Sequence, residues 1–136
     1  MFTRFGTTLV AGAILALAST AAASAAQLWP GSVVGVWNAQ ANQSSLTITI
    51  SSQSASGKCR EIAGTILDNA SGVSANLEGF YCPSSGRVHF TRSDPTSGFT
   101  YQDYTGNLSD GGRTLYMGGT FAADDVGGEY AFFAAK

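Results

Sequence analysis

The sequence is poor in the residues on which most enzymes and metal proteins depend. Its 136 residues include one histidine, two cysteines and two tryptophans. No Cys-x-x-Cys occurs, and His89 cannot complete a zinc site with Cys59 and Cys82. No Gly-x-Ser-x-Gly leads into a helical segment, which excludes a nucleophile elbow. Asp124-Asp125 offers two carboxylates, but calcium needs more oxygen ligands at set spacing, so a solvated turn is expected. The reading is therefore a protein that is not an enzyme and carries no metal and no cofactor. Charged residues make up only 12% of the chain. Past residue 26, Lys58, Arg60, Arg87, Arg92, Arg113 and Lys136 face nine acids, the reverse of a nucleic-acid footprint. Helical periodicity is also missing: no stretch there keeps a 3.6-residue apolar period for three turns. Nor is any apolar run there long enough to span a bilayer as a helix.

What the N-terminus does contain is a leader. Arg4 supplies a positive start, residues 9–17 form a short apolar run, and Ala23-Ser24-Ala25-Ala26 offers small residues at a cleavage position. Residues 1–26 are predicted to be a signal peptide and residues 27–136 a single domain, secreted or periplasmic. Export agrees with the cysteine pair, which an oxidising compartment would join.

Strand periodicity fills the space that helices leave empty. Leu46, Ile48 and Ile50 alternate with polar residues, as do Val88 and Phe90, which sets His89 on the opposite face. Gly, Asn, Asp and Ser clusters interrupt the alternation at short intervals. Eight strands are predicted, at about 33–40, 44–51, 58–67, 75–82, 87–93, 99–108, 114–123 and 129–135. Short links join antiparallel neighbours, and eight such strands most economically close on themselves. The expected fold is all-β, an eight-stranded antiparallel up-and-down β-barrel.

Two finer patterns support closure. Residues 59 and 82, 62 and 79, and 64 and 77 lie symmetrically about the 68–72 turn. A hairpin there puts Cys59 opposite Cys82, and closing the loop stabilises the fold by about 3 kcal/mol. Five strands also carry a glycine between apolar residues two positions away on either side. They are Val33-Gly35-Trp37, Ile62-Gly64-Ile66, Leu77-Gly79-Tyr81, Tyr104-Gly106-Leu108 and Met117-Gly119-Phe121. Mid-strand glycines sharing the apolar face suit tightly coiled strands round a narrow barrel.

Gly35-Val36-Trp37 resembles the Gly-x-Trp signature of the calycin barrels, and the order of later features looks most like the avidin and streptavidin family. Ser44-Ser45-Leu46-Thr47-Ile48 looks like that family's second strand. Val88-His89-Phe90 and Tyr104-Thr105-Gly106-Asn107 are similar to two of its later strands, with Phe and Tyr where the family has Trp. The family's long loop before the last strand is reduced to residues 123–128, and its Asn after the first Trp falls on Ala39, with Asn38 one residue away. The resemblance implies an avidin- or lipocalin-like barrel that encloses a small apolar or amphipathic ligand, with biotin not indicated. Candidate lining residues are Trp37, Phe90, Tyr104 and Tyr116, with Asn38, Ser44 and Arg92 near the open end.

Two other readings remain open at this level. Small exported barrels with one disulfide also resemble bacterial inhibitors of secreted metalloproteases. In that case Gln27-Leu28-Trp29-Pro30 would insert into the cleft of a protein partner. Aromatic residues also crowd both faces of the later strands, Phe132 and Phe133 pointing opposite ways, so one set fills the barrel and the other suits a homo-oligomer contact.

Overall fold

The computed structural model describes residues 29–136; the predicted leader lies outside the described residues. The described chain is all-β. In order, β1 is Gly35–Ala41, β2 Ser44–Gln53, β3 Arg60–Asp68, β4 Ser74–Cys82, β5 Arg87–Ser93, β6 Thr100–Asp110, β7 Leu115–Ala123 and β8 Val126–Ala135. Each strand pairs antiparallel with the next, and β8 returns to pair with β1, closing the barrel. Among the described residues no helix is long and apolar enough to cross a membrane.

The boundaries follow the alternation closely, with one informative exception. β8 begins at Val126, three residues before the expected position, and Gly127 and Gly128 lie inside it. The β7–β8 link is only Asp124-Asp125, and a register shift between Ala122 and Ala123 absorbs the irregularity. Gly128 has a φ of 99°, which a β-branched strand residue would resist.

Two links share one design, and a third keeps part of it. Asp68 Oδ1 accepts the amides of Ala70 and Ser71, the Gly72 amide donates to the Asp68 carbonyl, and the Val73 amide donates to Ser71 Oγ. Asp94, Thr96, Ser97, Gly98 and Phe99 repeat every one of these bonds. Cys82 to Arg87 keeps the Ser-Gly half of the pattern. The bonds within each turn supply the backbone partners that a ladder would otherwise give.

The inward face reads directly from residue parity. Trp37, Ile48, Ile66, Leu77, Tyr81, Val88, Phe90, Tyr104 and Met117 are all fully buried. Four of the mid-strand glycines sit where neighbouring strands press together. A side chain at Gly64 would collide with the backbone of Thr49 and Ile50, and one at Gly119 would come within 2.6 Å of the Gly106 Cα. Gly106 and Gly119 are ladder partners, so the tightest point of β6–β7 carries no side chain on either strand. Such close approach lets the strands coil enough for a small, filled barrel.

The disulfide falls where the symmetry places it. The β3–β4 ladder ends at Arg60 opposite Tyr81, and Cys59 is bonded to Cys82 one step beyond, with Cα atoms 4.1 Å apart. This is the closed end of the barrel. There Val33 is fully buried, Gln53 ties down both Val33 and Gly31, and the Tyr81 hydroxyl donates to the Pro30 carbonyl at 2.6 Å. Trp29 lies against Gly86. Residues 29–34 thus cap one end, and among the described residues no comparable segment covers the other.

Candidate functional site

The uncovered end is ringed by the Asn42-Gln43, 68–73, 94–99 and Asp124-Asp125 links. Inside it lies a cavity of about 270 Å³. Its walls are Ala41, Leu46, Phe121, Ala123, Val126 and Tyr130, and its polar groups come from Asn42, Ser44, Arg92, Gln102, Tyr104 and Asp125. Below it the inward side chains form one buried core cluster.

The wall is an aromatic belt built by register. Phe90 pairs with Tyr104, Tyr104 with Phe121, and Phe121 with Tyr130, on four consecutive strands. Their rings follow one another at centroid separations of 4.8, 5.0 and 5.6 Å. Phe132 meets Phe90 and Tyr104 edge-on at 6.0 and 5.3 Å. Offset and edge-to-face contacts of this kind add about 0.5–1.5 kcal/mol per pair beyond area burial, so the wall is stiff before any ligand arrives.

A polar cluster stands on this belt. Arg92 shares the inward face of β5 with Val88 and Phe90 and is only 7% exposed, the one charged side chain among the described residues that is buried. Its Nη1 donates to Gln102 Oε1 at 3.1 Å, and the same oxygen accepts the Tyr104 hydroxyl at 2.8 Å. Its Cζ lies 5.4 Å from the centre of the Tyr101 ring. Arg92 Nε is buried without a partner. Burial pushes the Tyr104 hydroxyl up to about 12, with the Arg92 charge pulling the other way. Tyr104 therefore stays a neutral hydrogen-bonding group at physiological pH.

The sequence-derived candidates divide clearly. Ser44, Arg92 and Tyr104 come together at the cavity. Phe90 lies beneath, in contact with Tyr104 but fully buried. Trp37 is in the core toward the closed end, its Nε1 donating to the Val33 carbonyl at 3.0 Å. Two candidates require correction. Asn38 is exposed on the outer face of β1, because the inward positions are Trp37, Ala39 and Ala41. Tyr116 is also outside, stacked on Phe133 at 5.5 Å, because Met117 takes the inward position on β7. Gln102, Phe121 and Tyr130 were missed. Hairpin symmetry of the kind used for the cysteines would have aligned Phe121 and Tyr130 with Tyr104, and parity with Tyr104 would have turned Gln102 inward.

His89 lies on the outside of β5, 2.8 Å from Asp103 and stacked on Phe80. Of the segment expected to enter a partner's cleft, Trp29 and Pro30 are held against the closed end, and Gln27 and Leu28 lie outside the described residues. No protein-family model matches the sequence, and no curated protein matches it either.

Proposed function

We propose that this protein is an exported binding module that takes one small amphipathic molecule into the open mouth of its barrel. The observation that carries the reading is the pairing of a stiff aromatic wall with a few convergent polar groups, Arg92, Gln102 and Tyr104, in one concave site. Binding rather than catalysis is the fitting role, since the only histidine is on the outer surface, away from the cavity. Export is supported by the leader-like residues 1–26 and by the Cys59–Cys82 bond. A distant kinship with the avidin-type barrels is supported by Gly35-x-Trp37 on β1 and by the eight-stranded up-and-down closure. Biotin is not the ligand we propose, because Phe90 and Tyr104 stand where that family uses tryptophan and Asn38 faces solvent.

Native mass spectrometry of the secreted protein tests the reading. We expect a mature mass starting near residue 27 and a small molecule retained in the gas phase. Tyr104→Ala should abolish uptake while circular dichroism stays β. A broad ligand screen without a single binder would overturn the proposal. A second reading, self-association through the outside of β7 and β8, is favoured by Phe133, 51% exposed and stacked on Tyr116. A monomer at high concentration would dismiss it.

A further inference from the structure

Arg92 poses a problem that the folded chain leaves unsolved. A guanidinium stays charged at any accessible pH and offers five N–H donors. Arg92 is 93% buried by its exposure of 7%, yet among the described residues its one hydrogen bond goes to a neutral amide oxygen, that of Gln102. Its Nε–H has no partner. A buried charge in this state is costly, and folded chains ordinarily meet it with a carboxylate.

No carboxylate of the described chain does so. The only acid–base pair among the described residues is His89 with Asp103, on the outer surface. Asp68, on a neighbouring turn, is occupied by the amides of Ser71 and Ala70, which hold its carboxyl below the usual range, with Arg92 a smaller influence. Asp125 reaches the cavity rim, but its side chain is solvent-exposed and makes no ion pair with Arg92.

We infer that the cavity takes a small organic monoanion, a carboxylate on a short aromatic or aliphatic body, and that Arg92 grips its charge. This rests on the binding-module reading and names the ligand class. Four observations support it. The guanidinium is held in place before binding, tethered to Gln102, which Tyr104 also holds, with the Tyr101 ring 5.4 Å away. With Nε enclosed, the Nη1–Nη2 side of the planar guanidinium is the edge that matches a carboxylate in two-pronged fashion, and preorganisation lowers the ordering cost. The apolar remainder of the ligand would lie against Tyr104, Phe121 and Leu46. The cavity, about 270 Å³, is at the small end for ligand sites, which limits that remainder to a single ring or short chain. Asp125 on the rim disfavours a doubly charged head such as phosphate. The wider grooves along Ser52–Glu78 and around Trp29 and Lys136 have no buried unpartnered polar group and carry no comparable argument.

The test is calorimetric titration of the mature protein at low salt with phenylacetate and hexanoate, each beside its neutral amide. The acids should bind at least about tenfold more tightly than the amides. Arg92→Met should erase that preference, the acids losing at least about tenfold in affinity. Arg92→Lys, which keeps the charge but loses the fork, should fall between. Equal binding of acids and amides by the native protein would overturn the anion inference and leave the binding module standing. If none of the four binds up to about 1 mM, the anion inference falls, and the binding module falls with it only if the broad ligand screen is also empty. Thermal melting gives an independent readout that does not need a ligand. Arg92→Met should melt at or above the native temperature, because an unpaired buried charge is replaced by an apolar chain of similar length. A lower melting temperature would make Arg92 a structural tie and overturn the proposal.

Discussion

Breaking the Cys59–Cys82 bond should weaken the barrel strongly while leaving its mouth intact. The bond closes a loop across a sequence separation of 23 residues, the whole β3–β4 hairpin. In the folded state the register alone brings the two cysteines face to face, so the bond's main effect is to restrict the unfolded chain. The chain-entropy treatment gives about 3 kcal/mol for a loop of this length. For a domain of this size that is a fall in melting temperature of roughly 10–20 °C. Cys59 is exposed, whereas Cys82 is only 6% exposed, so Cys59→Ser with Cys82→Ala avoids leaving a polar group in the core. Scanning calorimetry of this double variant beside the native protein measures the loss. The bond lies at the closed end, whereas the cavity lies at the open end. Phenylacetate affinity measured well below the melting temperature should therefore not change. A fall of less than about 2 °C would refute the loop-entropy reasoning. Lost binding in a fully folded variant would refute the independence of the two ends.

Gly119→Ala should cost about 1–3 kcal/mol or more, because the new Cβ meets the Thr105 and Gly106 backbone. Gly127→Ala, with nothing within 4 Å, should stay within about 0.5 kcal/mol of native, and denaturant titration of the two checks the contrast. Phe90→Ala removes a fully buried ring from beneath the belt and should cost about 3–5 kcal/mol in the same assay. Tyr104 titrates near 12 in the folded protein and near 10 when unfolded. Its contribution, on the order of 2–3 kcal/mol, is complete below pH 10 and is lost as pH rises towards 12. Alkaline melts of the native protein should therefore fall more steeply than those of Tyr104→Phe, and parallel curves would refute the assignment.

Several features of the barrel were legible in the sequence because they depend only on neighbours along the chain. In an up-and-down topology every ladder except the closing one is a hairpin, and its register is set by its turn. Alternation therefore placed Val88 and Phe90 on the inward face, the glycine pattern did the same for Trp37, and symmetry about the 68–72 turn placed Cys59 opposite Cys82. The mid-strand glycines marked close approach for the same local reason. Asn38 and Tyr116 lie outside because strand parity sets both opposite the inward positions Trp37 and Met117.

Other properties depend on how the strands wrap, and these only the tertiary structure decided. The β1–β8 seam joins the two ends of the described sheet, so no turn fixes its register; it holds four ladder pairs from Asn38–Ala135 to Ala41–Phe132. Which mouth stays open depends on residues 29–34 folding back over the other. The aromatic belt needs three successive registers to agree before Phe90, Tyr104, Phe121 and Tyr130 form one wall. Most of all, the sequence shows that Arg92 points inward but not what it meets there. Whether a buried charge finds a partner depends on groups brought within a few ångströms by closure of the whole ring, because hydrogen bonds and ion pairs are short-ranged while the chain positions that supply them are not.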